Sequence, residues 1–298
     1  MNNYSDLTFR VADRNFRIIF PEGTDGRLFL PSYAPFYVKE GADDLMFSLC
    51  VDNEAVSFLP EGKEVGQFDA GGNNHGVYLF DDGGYKIIIS NPEEEMACAM
   101  RVDELFRHCT VSLLGDEENR RFGLNNAVMI TFAFSGARNR LLLMHASVTM
   151  NNGHGFLFLG KSGTGKSTHS DLWVKHIPGS VILNDDNPAV FCREDGRICV
   201  AGTPWSGKRN FYRQLIVPAG AFVRLEQAKE NVISREQKLQ AFASILSSCS
   251  TMIWDKPSYN AICDTVSDVA MQVPVFYLRN LPNEEAARMS AEACLNNA

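Results

Sequence analysis

The sequence holds no CxxC pair and no Cys/His cluster at zinc-finger spacing, although it has eight cysteines, Cys50, Cys98, Cys109, Cys192, Cys199, Cys249, Cys263 and Cys294. That pattern excludes the common structural zinc modules. Basic residues are also short: 28 Lys and Arg stand against 36 Asp and Glu, for a net charge of −8 and a pI near 5.3. General binders of nucleic acid or of anionic membranes need a basic face, so neither partner is expected. Long apolar runs are missing as well. The longest, AVMITFAF at 127–134, is far too short to span a bilayer. The opening MNNYSDLTFR lacks the basic region and apolar run of a signal peptide. Free thiols in a reducing, cytoplasmic setting are therefore the expectation. There are no internal repeats and no low-complexity segments.

What is present suffices for a full core. With 298 residues, 45% apolar and 21% charged, the chain has the composition of a globular protein of about two domains. The first part is rich in strand signals. LTFRVADRNFRIIF reads as two short strands around an Asp-containing turn, and VYLFDDGGYKIII as a hairpin, since Asp and Gly tolerate positive φ. NRRFGLNNAVMITFAFSGA, residues 119–137, reads as a buried helix interrupted by Gly123. The expected boundary falls just ahead of it, giving a smaller strand-rich domain at 1–118 and a second domain at 119–298.

In the second part, RLLLMHASVTM and FLFLG are apolar strands joined by the turn NNGHG. The second runs into GKSGTGKS, which has the glycine spacing of a phosphate-binding loop and marks 119–298 as a nucleotide-binding domain. A strand that leads into a phosphate loop has parallel neighbours in the common βαβ arrangement. Here its predecessor pairs with it antiparallel. The expected fold is α/β with α+β character: a mixed, partly antiparallel sheet carrying a P-loop. HSDLWVKHI reads as a helix stopped by Pro178 and Gly179, SVILN as a strand, and NPAVFCREDGRICVAG as a hairpin. A helix at 235–249, an extended VPVFYL and a final helix from about 283 complete the chain.

The residues with chemical potential lie along this second part. GKSGTGKS at 160–167 fits G-x-x-x-x-G-K-[ST] in full. Gly160, Gly163 and Gly165 let the backbone curl so that successive N–H groups, with those of Lys161, Ser162 and Thr164, point at phosphates. Lys166 can reach the β- and γ-phosphate oxygens, Ser167 can ligate Mg²⁺, and the helix opening at Ser167–Thr168 adds its dipole. Asp185 and Asp186 close the strand VILN, where a carboxylate can hold a metal ion or take a proton from an attacking hydroxyl. His145 shares a strand face with Leu141, Leu143 and Ser147; by itself it fits a hydrogen-bonded structural histidine better than a ligand. GTPWSGKRN at 202–210 delivers Lys208 and Arg209, with Arg213 one turn on. These are either clamps for a transferring phosphoryl group or solvated surface charges.

The string LLMHASVTM…FLFLGKSGTGKST…VILNDDNPAV resembles the superfamily that joins phosphoenolpyruvate carboxykinase and HPr kinase, closely over about 141–190. GTPWSGK and the tail VPVFYLRNLPNEEA are similar to HPr-kinase-like bacterial proteins. The resemblance implies nucleotide and Mg²⁺ contacts at Lys166 and Ser167, metal and general-base carboxylates at Asp185 and Asp186, and a site role for His145. It departs where HPr kinases carry an EIRG-like signature, here ICVAGTPWSGK, so the acceptor is not expected to be HPr. The reading is an ATP- and Mg²⁺-dependent kinase acting on a hydroxyl of a small molecule, peptide or protein. Its alternative is a catalytically silent nucleotide-binding regulator. A homo-oligomer is compatible with either.

Overall fold

Two residues at positive φ open the first sheet. Ala12 (φ 51°) and Asp13 (φ 57°) make the two-residue turn that joins β1 (Tyr4–Val11) to β2 (Arg14–Pro21), with Val11 opposite Arg14. A turn with both central residues at positive φ matches the right-handed twist of the strands it connects. The computed structural model describes residues 4–39, 42–69 and 74–297. The chain divides into two compact units, Met1–Gly136 and Ala137–Ala298.

In the first unit β2 is followed by the single turn α1 (Gly26–Phe29), β3 (Tyr37–Val38), β4 (Leu45–Val51), β5 (Lys63–Asp69), β6 (Asn74–Leu79), β7 (Tyr85–Ser90), β8 (Met96–Val102) and β9 (His108–Leu113). These nine described strands form one sheet in the order β3-β1-β2-β4-β9-β8-β7-β6-β5. The expected hairpins are present as β1–β2 and β6–β7, both antiparallel. The long helix α2 (Glu117–Ala137) packs within this unit. The Asn119 amide donates to the carbonyls of Met96 and Leu114, Ser135 Oγ donates to Met46 O, and Phe132 meets Phe16 edge-on. The division therefore falls at the last residue of this helix, between Gly136 and Ala137, and not ahead of residue 119 as the sequence suggests. Gly123 sits mid-helix because a Cβ there would lie 2.7 Å from the Ala97 carbonyl oxygen.

The second unit is a mixed sheet with helices on both faces. Its strands are β10 (Leu141–Leu143), β11 (Ala146–Asn151), β12 (His154–Leu159), β13 (Val181–Asp186), β14 (Ala189–Cys192), β15 (Ile198–Ala201), β16 (Ile216–Gln227), β17 (Val232–Arg235) and β18 (Val275–Asn280). The order is β10-β14-β15-β16-β12-β11-β13, with β18 beside β16 and β17 beside β18. As expected, β11 and β12 form an antiparallel hairpin, while β12 and β16 run parallel. β16 changes role along its length: its first residues pair antiparallel with β15, and its later ones pair parallel with β12 and β18.

The period of two along β12 assigns its side chains to two cores. Phe156 and Phe158 pack with Trp173 of α3 (Lys166–His176) and with Ala287 and Ala291 of α6 (Glu284–Leu295). Leu157 and Leu159 pack with Ile245 of α4 (Lys238–Leu246) and with Ile262, Val266 and Val269 of α5 (Lys256–Gln272). The strand end that leads to residue 160 is thus gripped on both faces.

Candidate functional site

The loop between β12 and α3 owes its shape to glycine. Gly160, Gly163 and Gly165 have φ of 149°, 79° and 100°, values at which a side chain is strained. At Gly160 a Cβ would also stand 2.6 Å from the Thr164 hydroxyl oxygen. That hydroxyl donates to Lys161 O, Thr164 N–H caps the same carbonyl at 3.2 Å, and the Gln227 amide donates to Gly163 O at 3.1 Å. Lys166 is only 8% exposed, and its ammonium donates to Gly160 O (3.0 Å) and Lys161 O (3.3 Å). Burial lowers its pKa, against the pull of Asp186 and Asp185.

The end of β13 lies beside this loop. Ser167 Oγ donates to Asp185 Oδ1 at 2.9 Å, and Asp185 is 4% exposed. Asp186 Oδ1 is 3.6 Å from His145 Nδ1, and its Oδ2 accepts from the Asn187 amide at 2.9 Å. Burial raises the Asp186 pKa, and Asp185 adds to this. Partial burial and Lys166 lower that of His145, with Asp186 and Asp185 opposing them. A cavity of about 320 Å³ is lined by residues of the loop and the first turn of α3 (Ser162, Gly163 and Gly165 to Thr168) together with His145, Asp185 and Asp186. Among the described residues no three His, Cys, Asp or Glu come together as a ready-made metal cage.

His145 reaches the cavity by a different route from the one its sequence pattern gave. It is not within a strand: β10 ends at Leu143 and β11 starts at Ala146. The break arises because the chain changes neighbours here, from β14 to β12 and β13. The His145 N–H is held by Ser248 O at 2.7 Å, and its ring is half exposed.

The three cations of the GTPWSGKRN segment part company. Arg209 turns toward the site: Nη2 donates to Asp171 Oδ1 at 2.6 Å, Nη1 donates to Ser167 O at 3.3 Å and lies 3.4 Å from Asp185 Oδ2. The guanidinium also covers the Phe211 ring at 4.8 Å. Arg213 instead donates from Nε to Ile182 O at 3.0 Å, on the flank of β13. The side chain of Lys208 lies outside the described residues. Sequence reasoning did not find Asp171, the partner of Arg209, since only the tertiary fold brings α3 to this segment. It also missed Asn187, which reads as an ordinary turn residue before Pro188.

No family model matches the chain, and no curated protein matches it. Among solved structures, the Hpr(Ser) kinase/phosphatase from Coxiella burnetii is similar to it, at 13% identity over 52% of this chain and 88% of that one, with a TM-score of 0.31. A likeness that loose carries no argument about chemistry.

Proposed function

We propose that this chain is an ATP- and Mg²⁺-dependent phosphotransferase that moves the γ-phosphoryl group onto a hydroxyl. The observation that carries the reading is that Lys166, Ser167, Asp185, Asp186 and His145 all line one cavity at the mouth of a glycine-built loop. Ser167 Oγ and Asp185 Oδ1, 2.9 Å apart, are hard oxygen donors that suit Mg²⁺, which takes few protein ligands and completes its shell with phosphate and water. When bound, the ion would neutralise charge on the β- and γ-phosphates.

The residues of the chain do the rest. The N–H groups of residues 161–167 hold the phosphates at the start of α3, where the helix dipole favours anions. Lys166 leaves the Gly160 and Lys161 carbonyls and pairs with the β- and γ-oxygens. Asp186, the carboxylate that faces His145 rather than Ser167, accepts the proton of the acceptor hydroxyl. The hydroxyl oxygen bonds to the γ-phosphorus as the bond to the β–γ bridging oxygen breaks and ADP departs. Arg209, beside Asp185 and Ser167 O, adds positive charge next to the two residues that would hold Mg²⁺.

Incubation with γ-labelled ATP and libraries of metabolites and peptides tests this. Label should pass to an acceptor, and Asp186→Asn should slow transfer by about 10²-fold or more while leaving Mg²⁺·ATP affinity unchanged. Tight Mg²⁺·ATP binding with no transfer to any class of hydroxyl would instead favour the catalytically silent regulator.

A further inference from the structure

Consecutive residues of a strand point to opposite faces of its sheet. Asp185 and Asp186 are the last two residues of β13, yet both line the same cavity. The register makes the conflict concrete. Asp185 is opposite Ser147, whose hydroxyl meets Ser170 of α3 at 2.6 Å. Asp186 is opposite Ala146, which packs into the core formed with α4 and α5. By alternation Asp186 belongs on that second face.

Its backbone explains why it is not there. Asp186 has φ of 110°. The other described non-glycine residues with positive φ lie between 47° and 67°, within the left-handed helical region. Asp186 alone among them is outside it, in a conformation that an L-residue keeps only when its surroundings impose it.

Those surroundings are the segment that begins GTPWSG. Thr203 Oγ1 donates to Asn187 O at 2.6 Å, Asn187 N–H donates to Trp205 O at 3.1 Å, and Trp205 N–H donates to Thr203 Oγ1 at 3.2 Å. Asn184, two residues before Asp186, donates from its amide to Thr203 O at 3.1 Å. On the other side, Asp185 N–H donates to Phe211 O at 2.9 Å. Thr203 is fully buried. Gly207 leaves the space: a Cβ there would lie 3.0 Å from Asp186 Oδ2.

We infer that Thr203 is a positioning residue, and that the 203–207 segment is a clamp that twists the Asp186 peptide so that two adjacent carboxylates enter one site. The inference rests on the proposed reading for the use of those carboxylates, and on the backbone alone for the clamp. Strain of this kind is stored at the cost of stability and is relieved by glycine.

The two parts are tested separately. Thermal melts of the ligand-free protein compare Asp186→Gly with Asp186→Ala. The glycine variant should melt roughly 3 °C or more above the alanine variant, the reverse of the order at an ordinary strand position. Equal midpoints, or a higher one for alanine, overturn the clamp whatever the protein catalyses. The second test follows label transfer from γ-labelled ATP together with Mg²⁺·ATP affinity. Thr203→Val should lower the transfer rate about 10- to 100-fold with affinity unchanged, and Thr203→Ser should restore most of it. A valine variant as fast as the parent, or a serine variant as slow as the valine one, removes Thr203 from this role. Wild-type protein that transfers no label, with the glycine and alanine melts in the expected order, leaves the clamp standing and counts against the phosphotransferase reading alone.

Discussion

The hydroxyl of Ser167, at the start of α3, donates to the carboxylate of Asp185, at the end of β13, across 2.9 Å. The first turn of the loop's helix and the end of the strand that follows it in the chain are thereby joined at one point. If a metal ion bridges them, each residue is useful to it only in the presence of the other. Ser167→Ala and Asp185→Asn should each weaken ATP binding by roughly 10-fold in Mg²⁺ and little in its absence. The double variant should fall well short of the sum of the two losses. Calorimetric titrations with and without Mg²⁺ measure this, and full additivity would separate the two residues.

Arg209 reads differently in the structure than in the sequence. Its guanidinium serves Asp171, Ser167 O and the Phe211 face at once, a set of contacts that needs a planar fork rather than a point charge. Arg209→Lys is therefore expected to behave like Arg209→Ala, each lowering phosphoryl transfer by at least about 10-fold. Variants within a factor of about two of the parent would return Arg209 to the class of surface charges.

His169 predicts how the fold responds to acid. Burial lowers its pKa from 6.5 to about 4, and its Nε2 is held by Ser290 Oγ at 2.9 Å in a cluster shared with Trp173. The folded state keeps this ring neutral where the unfolded chain would protonate it. Its stability contribution is therefore complete above the unfolded value and is lost as pH falls through the folded one. The shift corresponds to about 3 kcal/mol over that window. Urea midpoints measured from neutral pH down through this range should fall in the parent and be flatter in His169→Gln. Parallel profiles for the two proteins would assign the acid sensitivity to other groups.

Much of this was open to reading in the sequence because it is local. The hairpin of β11 and β12, the loop after it, and the strand ending at Asp185–Asp186 follow from short-range alternation, turn residues and glycine spacing. The break at His145 was hidden, because Leu141, Leu143, His145 and Ser147 keep the strand's period across a point where the chain changes partners. Helix α5 was missed although Asp255 caps it, accepting from Ser258 N–H, with a proline in its first turn. Its polar stretch SYNAICDTVSD masks the buried stripe of Ile262, Val266 and Val269. β16 was hidden by Pro218 and Gly220, both signals against a strand. Neither Asp171 beside Arg209 nor Thr203 beneath Asn187 could be paired without the fold.

The double role of β16 bears on how the chain can vary in length. Its first residues set the register of β15, and its later ones set those of β12 and β18. One added or deleted residue between 216 and 227 would turn every following side chain to the opposite face. Phe222 and Val223, which belong to different cores, would exchange environments, and the strand that supports the loop would lose its neighbour's register. The tip between β14 and β15 carries no such constraint, since Glu194 to Gly196 are exposed and join a simple hairpin. Length changes among descendants of this chain should gather at that tip and avoid β16.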